Sequence, residues 1–368
     1  MANPQVLFLG QDLFAQGRVT SYPAINEMKS FKGDKLITND YSIEVKNEDD
    51  FFSVGNPKSI LAGQDYLFKP ITVIGSKSEI IWSGIVTNIV REHREKTAII
   101  NSKNTMYKFY QRIIVYTSND WETGAEAFKN ICDDIGFTNY DTASVQASID
   151  RLENANCYLK VDLKQEDGVT FQSIIEKLGE YSNADVYTHN NNIYFIHWIQ
   201  SSGSNASIGI TIKEKRECPI VNEDQNELIN DYSIGYYGDN GSSATDTNSN
   251  NIGNVSRKKY TTRSLPEMDS SNGAQIVFKD KVSAIYIGES YMKRTHKGLT
   301  STPSEPEPLI QITFELFADF REFINLQNRF KLTFSDENWT NKLFEIFEFS
   351  IFEDEDKISI KAYEVELI

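Results

Sequence analysis

Alternation of apolar and polar positions with a period of two dominates the first third of the chain. Residues 37–46, 66–74, 79–91 and 97–101 are rich in Ile, Val, Thr and aromatic side chains, which suits a half-buried pleated surface. Polar clusters punctuate them: NEDD at 47–50, GN at 55–56 and GSKSE at 75–79, all read as turns. Strands this closely spaced, with no long helix between them, predict a small antiparallel barrel or sandwich rather than a parallel sheet.

The period then changes. Ser118, Asn119 and Asp120 offer a cap for a helix over 121–135, where Trp121, Ala125, Phe128, Ile131, Cys132 and Ile135 share a face and Gly136 is a stop. A second helix is predicted over 170–181, with Phe171, Ile174, Ile175 and Leu178 inward and Asp167 or Thr170 near its cap. The stretch ADVYTHNNNIYFIHW at 184–198 follows. It reads as a hairpin, 184–188 against 193–198, turning at Asn190, Asn191 and Asn192, residues that tolerate positive φ.

Further on, 201–207 reads as a Ser/Gly/Asn linker, and 238–254 is low in complexity, with only Ala244 and Ile252 apolar. The latter is expected to be a long exposed loop, ordered if at all by a partner. A helix is predicted at about 280–294, carrying Val282, Ile285, Glu289 and Met292, before a Pro-rich connector at 299–308. Strands return at 330–334, 343–351 and 358–367, with an acidic turn, FEDEDK, at 352–357.

The expected fold class is mixed and mainly β: two small antiparallel β-barrel domains flanking an α+β insert. The corresponding division is an N-terminal barrel at 1–117, the α+β insert at 118–207, an irregular or α+β segment at 208–308, and a C-terminal barrel at 309–368. Residues 70–101 and 330–367 echo one another as strand, polar turn, Trp, strand, charged turn, strand, with Trp82 and Trp339 in similar places. Any two β-meanders share some of this pattern. A true echo would mean two similar barrels in one chain.

Composition narrows the function. With 368 residues the chain has room for two or three domains, and an aromatic share of 12% argues against wholesale disorder. The formal net charge of −16 disfavours a surface for nucleic acid or anionic lipid. An acidic surface suits plain solubility; it also suits a wall that nucleic acid slides past. No signal peptide is read at the N-terminus and no apolar run approaches the roughly 20 residues of a membrane span. Cys132, Cys157 and Cys218 are few, distant and odd in number, which predicts a reducing compartment without disulfides. The glycosylation patterns at Asn205 and Asn338 carry no meaning without a secretory signal.

Candidate chemistry is sparse. His93, His189, His197 and His296 are scattered, without an HExxH pattern or paired cysteines. His189 and His197 flank the hairpin turn and could face each other, although ordinary exposed strand positions account for both. Asp246, Asn248 and Asn250 resemble the start of a calcium loop, but Asn251 stands where Gly belongs and Arg257 where the bidentate Glu belongs. Carboxylate pairs at Asp49/Asp50, Asp133/Asp134 and Glu353 to Asp356 read as solvated turns or helix faces rather than an acid and base across a cleft. The sequence contains no nucleophile elbow and no phosphate loop. Arg257, Lys258 and Lys259, with Arg263 beyond, form the densest basic cluster, which could grip an acidic partner or be a solvated loop edge. No catalytic, cofactor-binding or metal residue is therefore assigned, and the chain is read as a non-enzyme needing no cofactor.

The order of parts resembles the tail-hub and baseplate-hub proteins of bacteriophages and related contractile injection systems. The resemblance rests on the helix and hairpin IIEKLGEYSNADVY…NNIYFIHW, the segment IIWSGIVTNIVRE at 80–92, and RFKLTFSDENWTNKLFEIFEFSIFEDEDKISIKAYEVEL at 329–367. The loop at 238–254 and the length of the connector depart from it. The resemblance implies a homotrimer, with a hexamer as the variant, whose two like barrels make a pseudo-sixfold ring between a tail tube and a spike or fibre apparatus. It further implies tail-tube and spike or baseplate partners, DNA passing through without specific binding, no membrane anchor, and a place in the virion tail after assembly in the host cytoplasm. The alternatives are a distal-tail or baseplate ring protein, or, in another class, a carbohydrate- or receptor-binding module or a cell-wall hydrolase.

Overall fold

The computed structural model describes residues 4–20, 24–29, 36, 40–75, 78, 80–189, 191–199, 206–212, 219–223, 231–237, 243–248, 262–265, 275–297, 307–317, 326, 329–352 and 357–365. They form a mainly β, mixed fold, as the strand-rich pattern predicts. The first sheet is antiparallel throughout. Its spatial order is Gln11–Asp12, Gln5–Phe8, Pro70–Ile74, Ile80–Glu92, Thr97–Lys103, Asp40–Lys46. The chain leaving the outer hairpin then crosses to the opposite edge: Leu13 N donates to Val6 O, while Lys46 N donates to Arg18 O and Thr20 N to Glu44 O. The two edges are thereby drawn together, as barrel formation requires.

The second sheet runs Ala206–Ile212, Arg329–Phe334, Trp339–Phe352, Lys357–Glu364, Ile310–Phe317, Ile220–Glu223. Its pairings are antiparallel except for the parallel one between its first two members. Each sheet contains the same unit. A strand (Asp40–Lys46 or Ile310–Phe317) is followed by a three-stranded meander, and returns to pair with the meander's last strand. This is Greek-key order.

Both meanders also have a long central strand bulged at matching places. The register shifts at Val73/Ile74 and Val86/Asn88 in one, and at Leu332/Phe334 and Ile346/Glu348 in the other. Bulges bend a strand and increase its twist, so the two units curl alike. Trp82 is buried and stacks on Tyr41 at 5.3 Å. Trp339 opens its strand and packs on Phe344 at 5.6 Å. The two sheets lie against each other and share one apolar core, from Val6, Ile43 and Val86 to Phe330, Ile346 and Ile360. Strand Ile25–Met28, from the N-terminal part of the chain, pairs with Trp339–Phe352 and ties the sheets covalently.

Between the sheet sequences lies a helical layer with its own core: α1 (Tyr107–Tyr110), α2 (Gly124–Ile135), α3 (Thr142–Asn154), α4 (Phe171–Tyr181) and α5 (Lys281–Thr295). The helix expected from residue 121 begins at Gly124. Thr123 closes a capping box with Glu126, which leaves Trp121 outside. Thr170 caps α4 and Gly136, at φ 68°, ends α2, both as predicted. The hairpin pairs Ala184–His189 with Asn192–His197 and turns at Asn191, φ 61°.

Within 238–254, expected to be an exposed loop, Ser243–Asn248 is instead a strand paired with Asp231–Tyr237. A polar, Thr-rich strand lacks the apolar alternation by which strands are read. The remainder of that segment lies outside the described residues. α5 also differs in its inner face: Ala284, Ile287 and Tyr291 are buried, while Val282 is exposed.

Gly84 is a close-approach position. A Cβ there would lie 2.1 Å from Trp82 Cη2 and 2.4 Å from the Lys103 carbonyl oxygen. Gly84→Ala is expected to lower unfolding stability by about 1–3 kcal/mol in urea titration. Gly55→Ala, where a Cβ meets nothing within 4 Å, should stay within about 0.5 kcal/mol. Equal effects would show that Gly84 is not pinned between Trp82 and Lys103.

Candidate functional site

The described residues hold no group of three or more His, Cys, Asp or Glu that could bind a metal. The sequence candidates lie apart. His93 is exposed in the turn after strand Ile80–Glu92. Asp49 and Asp50 are exposed, and Arg18 grips Asp49 through two bonds of 3.0 and 2.8 Å, which holds that carboxyl below its ordinary value. Asp133 and Asp134 are exposed on α2, with Asp133 3.2 Å from Lys129. Cys132 and Cys157 are buried thiols whose pKa is pushed up by desolvation, so neither is poised as a nucleophile. Asp246 and Asn248 stand in a paired strand, not in the tight loop of a calcium site. Arg263 likewise belongs to a strand, Thr262–Leu265, and His296 to the short pairing of His296–Lys297 with Glu307–Pro308. Cys218, Asn250, Asn251, Arg257, Lys258, Lys259 and 353–356 lie outside the described residues.

The two hairpin histidines differ from expectation. They do not face each other: His189 is opposite Asn192 and His197 opposite Ala184, at the two ends of the ladder. Neither is an ordinary exposed position. His189 Nδ1 lies 2.6 Å from Glu27 Oε2, and His197 is fully buried. The hairpin does not stand out in solvent; it is wedged between the helical layer and the second sheet.

That wedge creates the most unusual chemistry in the molecule. Asp185, on the first hairpin strand, is 2% exposed. Lys29, just beyond strand Ile25–Met28, reaches Asp185 Oδ2 at 2.8 Å and Glu345 Oε1 at 2.6 Å. Arg329 Nε binds Glu345 Oε2 at 2.7 Å, and its Nη2 donates to Ile199 O at 2.7 Å. Arg294, near the end of α5, pairs with Asp185 and donates to Asn183 Oδ1 at 3.2 Å. The Arg294 and Arg329 guanidinium groups lie 5.8 and 6.0 Å from the centroid of the Trp198 ring. Four sequence-distant segments thus meet through buried charge.

His197 completes the junction. Its Nδ1–H donates to Ser182 O at 2.6 Å, and Nε2 accepts from the Tyr286 hydroxyl at 2.8 Å. Ser148 Oγ accepts from His197 N and donates to Phe195 O, both at 2.9 Å, docking α3 on the hairpin. Arg151 Nη1 donates to His197 O at 3.2 Å. Burial drives the His197 pKa down to about 4, and the charges of Arg151 and Arg294 act the same way. Burial alone would raise Glu345, but Lys29, Arg329 and Arg294 outweigh it and hold the carboxyl far below the usual range. At His189 burial works downward, while the hydrogen bond and charge of Glu27 outweigh it and raise the pKa.

This arrangement can fix geometry. It does not offer a base, a nucleophile or a metal centre. Sequence reading missed it because its members are single charges at 29, 151, 185, 294, 329 and 345. Only Asp185, the one carboxylate in the strand ADVYTH, carries a signal.

No protein-family model and no curated protein matches the chain in sequence. Solved structures do match in fold. The 43 kDa tail protein of prophage MuSo2 from Shewanella oneidensis superposes with a TM-score of 0.57 at 12% identity, covering 98% of this chain and 97% of that one. A tail protein from Neisseria meningitidis MC58 gives 0.55 at 9% identity, covering 98% and 96%. Prophage tail protein gp18 from Listeria monocytogenes EGD-e gives 0.52 at 11% identity, covering 98% and 94%. The chain therefore has the fold of these tail proteins over nearly its whole length.

Removing one partner from the buried network leaves the others uncompensated. Glu345→Gln is expected to cost about 3–5 kcal/mol in urea unfolding; a loss under about 1 kcal/mol would show that water already serves these cations. For His197 the folded-state pKa is below the unfolded value of about 6.5. The unfolded chain then takes up the proton first as pH falls through that window, and stability is lost. Between pH 7 and 4.5 this loss should be on the order of 2–3 kcal/mol, and His197→Gln should remove it. A variant with the full wild-type slope would assign the titration to another group.

Proposed function

We propose that the chain is a structural component of a bacteriophage-type tail or baseplate. In particular we propose a hub or adaptor that joins a tail tube to a spike or fibre apparatus. The tail assignment is supported by the fold shared with three tail proteins over 98% of the chain. The observation that carries the hub reading is the repeated Greek-key unit, with matching strand order and bulges, in the two sheets. Three such chains around an axis would present six similar units, and so could join a threefold partner on one side to a sixfold partner on the other.

Both sheets carry outward apolar side chains suited to subunit contact. Val90 and Ile99 are paired neighbours in the first sheet, 46% and 38% exposed; Ile220 and Phe317 in the second are 70% and 69% exposed. Among the described residues Ile220–Glu223 is an edge strand of the second sheet, a place where backbone groups can pair with another chain. On this reading the protein belongs to the virion tail after assembly in the host cytoplasm, and its partners are copies of itself, the tail tube and the spike or baseplate. DNA would pass it without specific binding, in keeping with the net charge of −16. The role is mechanical, not catalytic.

Light scattering behind a sizing column, with and without the tail-tube neighbour, tests the reading. The expected mass is three times the 42.0 kDa of one chain, alone or on mixing. A hexamer would move the assignment to a distal-tail ring. A chain that stays monomeric beside every tail component would end the structural reading.

A further inference from the structure

A third sheet runs in the order Ser243–Asn248, Asp231–Tyr237, Gln275–Phe278, Leu159–Leu163, Tyr116–Thr117. Among the described residues Tyr116–Thr117 is its edge, and the chain just before it prolongs that edge. Ile114 N donates to Val169 O at 2.9 Å, Phe171 N donates to Arg112 O at 2.8 Å, and Ile113 bridges Thr170 antiparallel. Arg112 and Ile114 therefore turn their backbone groups inward. By antiparallel alternation Ile113 and Val115 turn theirs outward, and among the described residues neither N–H has a partner. Ile114 is buried, while Ile113 and Val115 are 50% and 60% exposed. Open backbone beside exposed β-branched side chains is what sheet edges ordinarily avoid.

The edge is also basic in an acidic chain. From 96 to 119 there are Lys96, Lys103, Lys108 and Arg112 and no Asp or Glu, against a net charge of −16 for the whole. Lys103 is paired with Asp40. Lys108 lies over the Phe68 ring and Arg112 donates to the Ile135 carbonyl, so among the described residues neither meets a carboxylate. The adjoining run 159–171 nearly balances itself, Lys160 and Lys164 against Asp162, Glu166 and Asp167. The strand that complements this edge is extended, apolar on one side and acidic.

The chain carries such a strand. Ile220–Glu223 is an edge of the second sheet among the described residues, and Ile220 is 70% exposed. It lies in a stretch, 217–256, with seven Asp or Glu and no Lys or Arg. We propose that the edge at 113–117 of one copy pairs with the edge Ile220–Glu223 of a second copy. The inference rests on the hub reading and names its subunit contact. The two edges are different surfaces, so the contact is heterologous, the kind that builds a ring when its rotation closes. In the closed ring every such edge is covered.

The test is light scattering of the full chain behind a sizing column, in the condition where the unaltered chain is trimeric, alone or with the tail-tube neighbour. Val115→Pro removes the outward N–H and leaves the inward bonds of Arg112 and Ile114 in place. Ile220→Lys sets a cation on the acidic edge. Each variant is expected to keep the far-UV circular dichroism of the unaltered chain and to fall to the mass of one chain, 42.0 kDa. Mixed in equal amounts, each keeps the edge the other lacks, and a complex of two chains is expected. A trimer in either variant, or no association on mixing, overturns the pairing and leaves the hub reading standing. Should Val115→Pro lose its fold, Ile220→Lys decides alone: a monomer supports the pairing and a trimer overturns it. An unaltered chain that stays monomeric beside every tail component ends the hub reading, and the pairing with it.

Discussion

Two buried carboxylates, Asp185 and Glu345, hold this structure's parts in one arrangement. They lie on elements 160 residues apart in the chain, and Lys29 bridges them. Charges taken out of water are costly unless every one is matched in place. The hairpin can therefore sit against the second sheet in few ways other than the observed one. An apolar contact at the same place would tolerate sliding by a residue or rotation of a side chain. The ion network does not, because each shift strands a charge. Its contribution is to orientation more than to net stability, since a well-packed apolar replacement can be as stable as a buried ion pair.

The same constraint explains how the two Greek-key sheets accommodate a helical layer inserted between their sequences. The sheets share one core, and strand Ile25–Met28 carries the N-terminal part of the chain into the C-terminal sheet. Glu27 on that strand meets His189 at the turn end of the hairpin, and Lys29 just beyond it meets Asp185 at the base. The hairpin is thus held at both ends by one short strand. Helices α3 and α5 grip its other side through Ser148, Arg151 and Arg294.

Local features were legible in the sequence where local physics decides them. The α4 face of Phe171, Ile174, Ile175 and Leu178 is read directly from the period of its apolar residues, and the hairpin from its asparagine turn. α3 was not predicted. Its sequence TASVQASIDRLEN has only Val145, Ile149 and Leu152 as large apolar residues, and Ser148 takes the fourth inward position by hydrogen bonding to the hairpin backbone. α5 is legible as a helix, but its buried face is not, because Ser283, Ser290 and Arg294 are buried as polar groups with partners on other elements. Tertiary contacts assign those positions, and no hydropathy pattern contains them. The duplicated meander was visible through Trp82 and Trp339. The bulges that make the two units curl alike were not, since a bulge is a property of pairing and leaves little trace in one strand's residues.

The tryptophans show how one strand order is supported by different neighbours. In the first unit Trp82 lies over Gly84, whose missing Cβ is what admits the ring, and stacks on Tyr41 of strand Asp40–Lys46. In the second, Trp339 packs against Phe334 and Phe344, and Lys342 covers its face at 4.8 Å. The same ring volume at the start of the same bulged strand is supported by different neighbours. What the two units have in common is the curvature set by strand order and bulges. Strand order and bulges are backbone properties, so side chains as unlike as those around Trp82 and Trp339 are compatible with the same curl.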